Sequence, residues 1–171
     1  MDRLARLASD GQMIPAAPIL ASRSITIDAP LDKVWHLLTT VSEWEQWYSY
    51  LKNAKLDGPF AVGTRVSYGG LFKHDLRIAK FVQQEMVMIY GKLAGFSGIT
   101  RWDFRKLGEN STQVTFTESS EGPLLGLLYS NKRLETHLQN WLEALKREAE
   151  RGSRTRDHSH SIVAGGFPEM S

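Results

Sequence analysis

PLLGLLYSNKRLETHLQNWLEAL, residues 123–145, is the stretch that decides how this chain folds. Within it Leu124, Leu127, Leu128, Leu134, Leu138, Trp141, Leu142 and Leu145 recur at three- and four-residue spacing, which draws one apolar stripe along a helix. Following the turn Glu121-Gly122 and Pro123, this spacing predicts a single amphipathic helix of about seven turns. Lys132, Arg133, Lys146, Arg147 and Arg151 form its solvated side. A stripe of that length must be buried, so the rest of the chain has to offer a large apolar surface.

Upstream, the period changes. From Leu51 onward apolar residues alternate, as in Val66 and Tyr68, Leu76 and Ile78, Met86 through Tyr90, Trp102 and Phe104, then Val114 and Phe116. Turn signals fall between them at Asp57-Gly58-Pro59, Gly69-Gly70, Gln83-Gln84-Glu85, Gly95 and Gly108-Glu109-Asn110. This predicts about six antiparallel strands with one greasy face. Further upstream, Ser22 to Asp28 alternates and stops at Ala29-Pro30, as a first strand would. A helix follows, with Asp28 as N-cap, Pro30 near its start and Val34, Trp35, Leu37 and Leu38 on its apolar face. Ser42 then caps a second short helix running through Trp47.

The expected fold is therefore α+β: a curved antiparallel sheet of about seven strands wrapped around a long C-terminal helix, with two short helices after strand 1. A twisted sheet is not filled by one helix, so the remaining space is either closed by side chains or left as a pocket.

At 171 residues the chain suits one core, and 42% hydrophobic with 23% charged residues excludes both wholesale disorder and a membrane-protein composition. The balance of 21 Lys and Arg against 19 Asp and Glu is too even for a phosphate-binding surface, so no nucleic-acid partner is expected. There is no Cys, which removes disulfides, thiolate nucleophiles and Cys-based zinc sites and fits a reducing cytosol. No apolar run approaches about 20 residues, so stable membrane insertion is not expected and a cytoplasmic location is. Residues 1–21 read as a peripheral N-terminal extension, 22–151 as the domain and 152–171 as a flexible tail. His158 and His160 in that tail supply two nitrogens without further ligands, and neither a metal nor a cofactor is expected. A Gly-x-Ser-x-Gly elbow is absent, and Gly91-Lys92-Leu93-Ala94-Gly95 lacks the Gly-Lys-Ser/Thr ending of a phosphate loop.

The order strand, two short helices, six strands, long helix resembles the START-like (SRPBCC) superfamily, the helix-grip or birch-pollen-allergen-like fold, and within it the polyketide cyclase/dehydrase and lipid-transport branch. The likeness spans Ser22 to about Arg151. It is carried by Ile25-x-Ile27-x-Ala29-Pro30-x-x-x-Val34-Trp35, Trp44-x-x-Trp47, Leu56-Asp57-Gly58-Pro59 before Val62-Gly63-Thr64, Trp102-x-Phe104, and Glu118 ahead of Glu121-Gly122. The resemblance implies a ligand cavity between the concave sheet face and the C-terminal helix, its mouth near the second short helix and the strand loops. Lipid and hormone binders and ring-closing cyclases share this fold, so fold alone does not choose the chemistry.

Alternation names the residues that face inward. With Trp102 and Phe104 inside, Phe96, Gly98 and Thr100 share their side, and Val114 and Phe116 bring Glu118 and Ser120 with them. Glu118 reads either as an inward carboxyl with a raised pKa, able to act as acid or base or to hold a polar ligand group, or as a rim carboxylate paired with Arg or capping the helix region. His74, in phase with Leu76 and Ile78, either turns its imidazole inward or sits at a strand end by a loop. Tyr68 and Tyr90 would add hydroxyls, and His137 borders the helix stripe. The expected lining is Trp44, Trp47, Tyr68, Phe72, Tyr90, Thr100, Trp102, Phe116, Leu128 and Trp141, with Glu118 and His74 as the catalytic pair if there is catalysis. The expected function is binding of a hydrophobic or amphipathic small molecule, such as a lipid or polyketide. The alternatives are an aromatase/cyclase-type enzyme and a protein-interaction module using the tail; monomer and homodimer both stay open.

Overall fold

The computed structural model describes residues 2–69, 74–93 and 96–152. A short helix α1 (Arg3–Ser9) precedes strand β1 (Ile19–Ile27), helix α2 (Leu31–Thr39), a 3-10 turn (Val41–Glu43) and helix α3 (Trp44–Trp47). Then come β2 (Lys55–Leu56), β3 (Arg65–Tyr68), β4 (His74–Val82), β5 (Met86–Leu93), β6 (Phe96–Gly108) and β7 (Ser111–Glu121), followed by α4 (Leu125–Leu128) and α5 (Asn131–Glu150). The strands form one seven-stranded antiparallel sheet in the order β1-β7-β6-β5-β4-β3-β2. Its concave face grips α5, as the alternation and the apolar stripe require.

The C-terminal helix differs from expectation in one respect. It does not run unbroken from Pro123: Tyr129 and Ser130 are extended, and Ser130 caps α5, its hydroxyl accepting the Arg133 backbone N–H at 3.3 Å. Serine stabilises a helix start better than a helix interior, so the break falls where the side chain can take up an orphan N–H. Leu134, Leu138, Trp141, Leu142 and Leu145 are buried as the stripe requires, whereas Leu124 and Leu127, on the separate turn, are exposed. Twenty residues at about 1.5 Å each still carry α5 about 30 Å across the sheet.

Two caps also differ. Pro30 occupies the N-cap of α2, and Asp28 instead donates its backbone N–H to Glu150 Oε1 at 2.9 Å, tying the end of β1 to the end of α5. Ser42 lies inside the 3-10 turn and caps nothing.

The largest departure is at the N-terminus. Strand β1 begins at Ile19, before the expected Ser22, and residues ahead of it are not peripheral. Leu4, Ala8 and Ile14 are buried against Ala79, Met88 and Ile99 on the convex face of the sheet. The Ile14 N–H donates to Ser119 Oγ at 3.0 Å, and Arg3 pairs with Glu121 at 2.5 Å. The sheet is therefore buried on both faces across β4–β6, which decides the reading of β5 below. No helix among the described residues is long and apolar enough to cross a membrane.

Candidate functional site

Register across the concave face shows why a cavity forms at one end. Trp102 on β6 stands opposite Phe116 on β7, and their rings stack at 3.6 Å between centroids. Trp141 from α5 packs on this pair at 4.5 Å from Trp102 and 5.9 Å from Phe116, and Trp44 and Trp47 close on Trp141 at 5.5 and 5.1 Å. These aromatics fill the space between sheet and helix. Moving along the strands, the row Leu76, Gly91, Gly98, Ser120 replaces large side chains with two glycines and a serine. Neither glycine is incidental. A Cβ on Gly91 would lie 2.2 Å from the Asp75 carbonyl oxygen, so β4 approaches too closely for any side chain. A Cβ on Gly98 would meet Ser120 Oγ at 3.2 Å.

The space left is a cavity of about 380 Å³. The sheet side contributes Tyr68, His74, Leu76, Ile89, Phe96, Thr100, Glu118 and Ser120; the helical side contributes Leu125, Tyr129, Leu134 and His137, with Tyr50 arriving from the segment after α3. A broader groove of about 640 Å³, bordered by Lys132, Arg133, Thr136 and Asn140, shares Tyr50, Tyr129 and His137 with it. That groove is shallow and open, so we take it as the mouth and the inner space as the site.

The polar groups inside are unusual for so apolar a setting. Glu118, opposite Thr100 in the register, accepts the Ser120 hydroxyl at 3.1 Å. Some of its surface remains accessible, but that surface borders the cavity, and protein packed around the carboxyl pushes it up to about 7; the Ser120 hydrogen bond offsets part of the rise. Burial lowers His74 to about 4, helped by His137, and burial lowers His137 as well. Tyr68 is raised, by burial first and then by the Glu118 charge. None of the ion pairs among the described residues involves Glu118, His74 or His137. His74 stacks on Tyr68 at 4.3 Å, its register partner, and Tyr50 packs edge-on to His137 at 5.3 Å. The cavity wall thus combines a carboxyl that burial pushes up to about 7 with two imidazoles that burial lowers, which suits proton exchange or orientation of a polar ligand group. No group of three or more His, Cys, Asp or Glu among the described residues could hold a metal.

Of the residues singled out from sequence, Tyr68, His74, Thr100 and Glu118 line this cavity. Trp44, Trp47, Trp102, Phe116 and Trp141 sit in the neighbouring aromatic core instead, packed on one another. Tyr90 faces the other way, into the cluster under the N-terminal segment, because its neighbour Ile89 takes the concave side. Phe72 and the Leu128 side chain lie outside the described residues. His137, which flanks the stripe in sequence, is brought to the cavity; Tyr50 and Tyr129, from irregular segments, carry no periodic signal that could have found them.

A seven-stranded antiparallel sheet gripping a C-terminal helix defines the START-like helix-grip class. The chain belongs to the family described as polyketide cyclase/dehydrase and lipid transport, whose model matches residues 18–150. No curated protein sequence matches it. Among solved structures, a START superfamily protein from Mycobacterium smegmatis is similar at 14% identity and TM-score 0.67, over 77% of this chain and 97% of that one. A Helicobacter pylori protein matches at 19% identity and TM-score 0.67, over 80% and 91%. DynU16, a protein of the dynemicin biosynthetic locus, matches at 21% identity and TM-score 0.62, over 78% of this chain and 48% of its own. At these identities the likeness is one of fold.

Proposed function

We propose that this protein binds a compact amphipathic molecule, the size of a single aromatic metabolite, in the cavity between β3–β7 and α4–α5. The observation that carries this reading is the partly open cavity of about 380 Å³ whose mainly apolar lining includes Glu118, His74 and His137. Its volume lies near the lower end of the roughly 300–1,000 Å³ range of small-molecule sites, which favours a compact ring system over a long-chain lipid. Leu76, Ile89, Phe96 and Leu134 supply burial; Thr100, Glu118 and the histidines orient polar groups.

A second reading, a cyclase-type enzyme, is favoured by one observation: Glu118 is poised near 7, where a carboxyl can both give and take a proton at neutral pH. The cavity would fold a reactive substrate and Glu118 would move its proton.

Native mass spectrometry of freshly purified protein, followed by extraction and identification of any co-purifying molecule, tests the binding reading. A stoichiometric small apolar metabolite, lost in a Gly98→Leu variant that stays folded, supports it. A bound species that persists when Gly98→Leu obstructs the cavity counts against this site. For the second reading, Glu118→Gln should abolish turnover of a substrate related to the bound molecule while sparing its binding; unchanged turnover would remove Glu118 from the chemistry.

A further inference from the structure

Resting on the cavity reading above, we propose that the site selects a ligand carrying a protonated amine, with the Glu118 carboxylate as its counter-ion and aromatic rings as its walls. The argument is a census of charge from each element around the cavity. Strand β7 brings Glu118 and the Ser120 hydroxyl, β3 brings Tyr68, and β4 brings His74; α5 brings His137, while Tyr129 and Tyr50 come from the segments bordering α4 and α3. Burial holds both imidazoles on the neutral side. The one cation among the described lining residues is Lys92 on β5. Lys92 is exposed and follows Gly91, so alternation directs it to the opposite sheet face, where a cleft with Asp2 and Asp75 begins. Lys132 and Arg133 border the outer groove and are not part of the inner lining.

Glu118 is thus a carboxyl in an apolar chamber whose described partner is one serine hydroxyl, with no ion pair to offset its burial. A ligand ammonium would supply that missing charge, and the rings of Tyr50, Tyr68, Phe96 and Tyr129 would add cation–π attraction to the same group. An anionic ligand would instead place two like charges in one desolvated space, and a neutral ligand would leave the carboxyl as it is. Amine binding must also move protons. With Glu118 near 7, about half the empty sites are protonated at about pH 7 and about nine-tenths at about pH 6, and a bound ammonium expels that proton.

Calorimetric titration of the full chain with tryptamine, tryptophol and indoleacetate holds the ring constant while changing the charge. The expected result is tryptamine binding at least about tenfold tighter than tryptophol, indoleacetate weakest, and release of about half a proton per tryptamine at about pH 7, increasing at about pH 6. In Glu118→Gln both the amine preference and the proton release should vanish. Ser120→Ala, which keeps the carboxylate and removes its hydrogen bond, should retain the preference and release more protons at about pH 7. Tryptamine binding no tighter than tryptophol, a preference that survives Glu118→Gln, or a preference lost in a folded Ser120→Ala protein would overturn the proposal. Tryptophol binding without any amine preference would refute the amine while leaving the cavity reading standing. Failure of all three to bind would count against both.

Discussion

Replacing Glu118 with Gln should change how stability responds to pH, by an amount the structure sets. Burial carries the carboxyl from 4.5 to about 7. At about 1.4 kcal/mol per pH unit this amounts to about 3 kcal/mol between the two protonation states. Because the folded-state value is the higher one, the contribution of Glu118 to stability is fully present below about pH 4.5. It is lost as pH rises towards about 7 and changes little above that. His74 and His137 act in the opposite sense: their values are lowered on folding, so stability is lost as pH falls below 6.5, for His74 down to about 4. The wild-type protein is therefore squeezed from both sides, and Glu118→Gln removes only the loss on the alkaline side. Urea unfolding of both proteins from about pH 4.5 to about pH 7.5 should show the variant gaining on the wild type steadily, to about 3 kcal/mol. The Gln carbonyl can still accept from Ser120, and its unpartnered NH₂ adds a pH-independent cost of about 1 kcal/mol, so the slope of the difference and not its offset is the test. Parallel curves across that window would refute the assignment of Glu118 as a buried, unpaired carboxyl.

Further outcomes follow from the packing. Trp141→Ala removes the ring on which Trp44, Trp47, Trp102 and Phe116 converge and should cost about 3–5 kcal/mol by urea unfolding. Gly91→Ala forces a Cβ into the β4 backbone and should cost more than about 2 kcal/mol, whereas Gly98→Ala is tight only against the Ser120 hydroxyl at 3.2 Å, a side chain that can give by a few tenths of an ångström, and should stay within about 1 kcal/mol; equal effects would refute the close-approach argument. Deleting residues 2–17 should uncover Ala79, Met88 and Ile99, lowering the thermal midpoint and raising binding of an apolar dye. His74→Phe keeps the stack on Tyr68 and removes a titrating group, so it should gain on the wild type as pH falls from 6.5 towards about 4.

Much of the site was legible because β6 and β7 alternate cleanly. Trp102 and Phe116 sit inside, and counting by two from each puts Thr100 and Glu118 on the same face, opposite each other in the register. His74 follows from Leu76 by the same count. Strand β5 defeats this method. Met86, Val87, Met88, Ile89 and Tyr90 are apolar without interruption, because the N-terminal segment buries the face that α5 does not, and a doubly buried strand has no polar side to give its phase away. Tyr90 is expected on the concave face, and Ile89 holds that place. The large aromatics misled in a related way: their size marks them as interior, but interior includes the core that fills space as well as the walls that leave it.

What the sequence by itself determined is the order of elements from β1 to β7, the sheet of about seven strands, the stripe of α5 and the inward phase of Glu118, all of which are periodic properties of contiguous residues. Only the tertiary structure decided that Gly91 and Gly98 fall side by side on neighbouring strands, that the N-terminal segment closes the convex face, and that Tyr50, Tyr129 and His137 complete the cavity wall. Those facts depend on register and on contacts between residues far apart in the chain, for which local spacing carries no information.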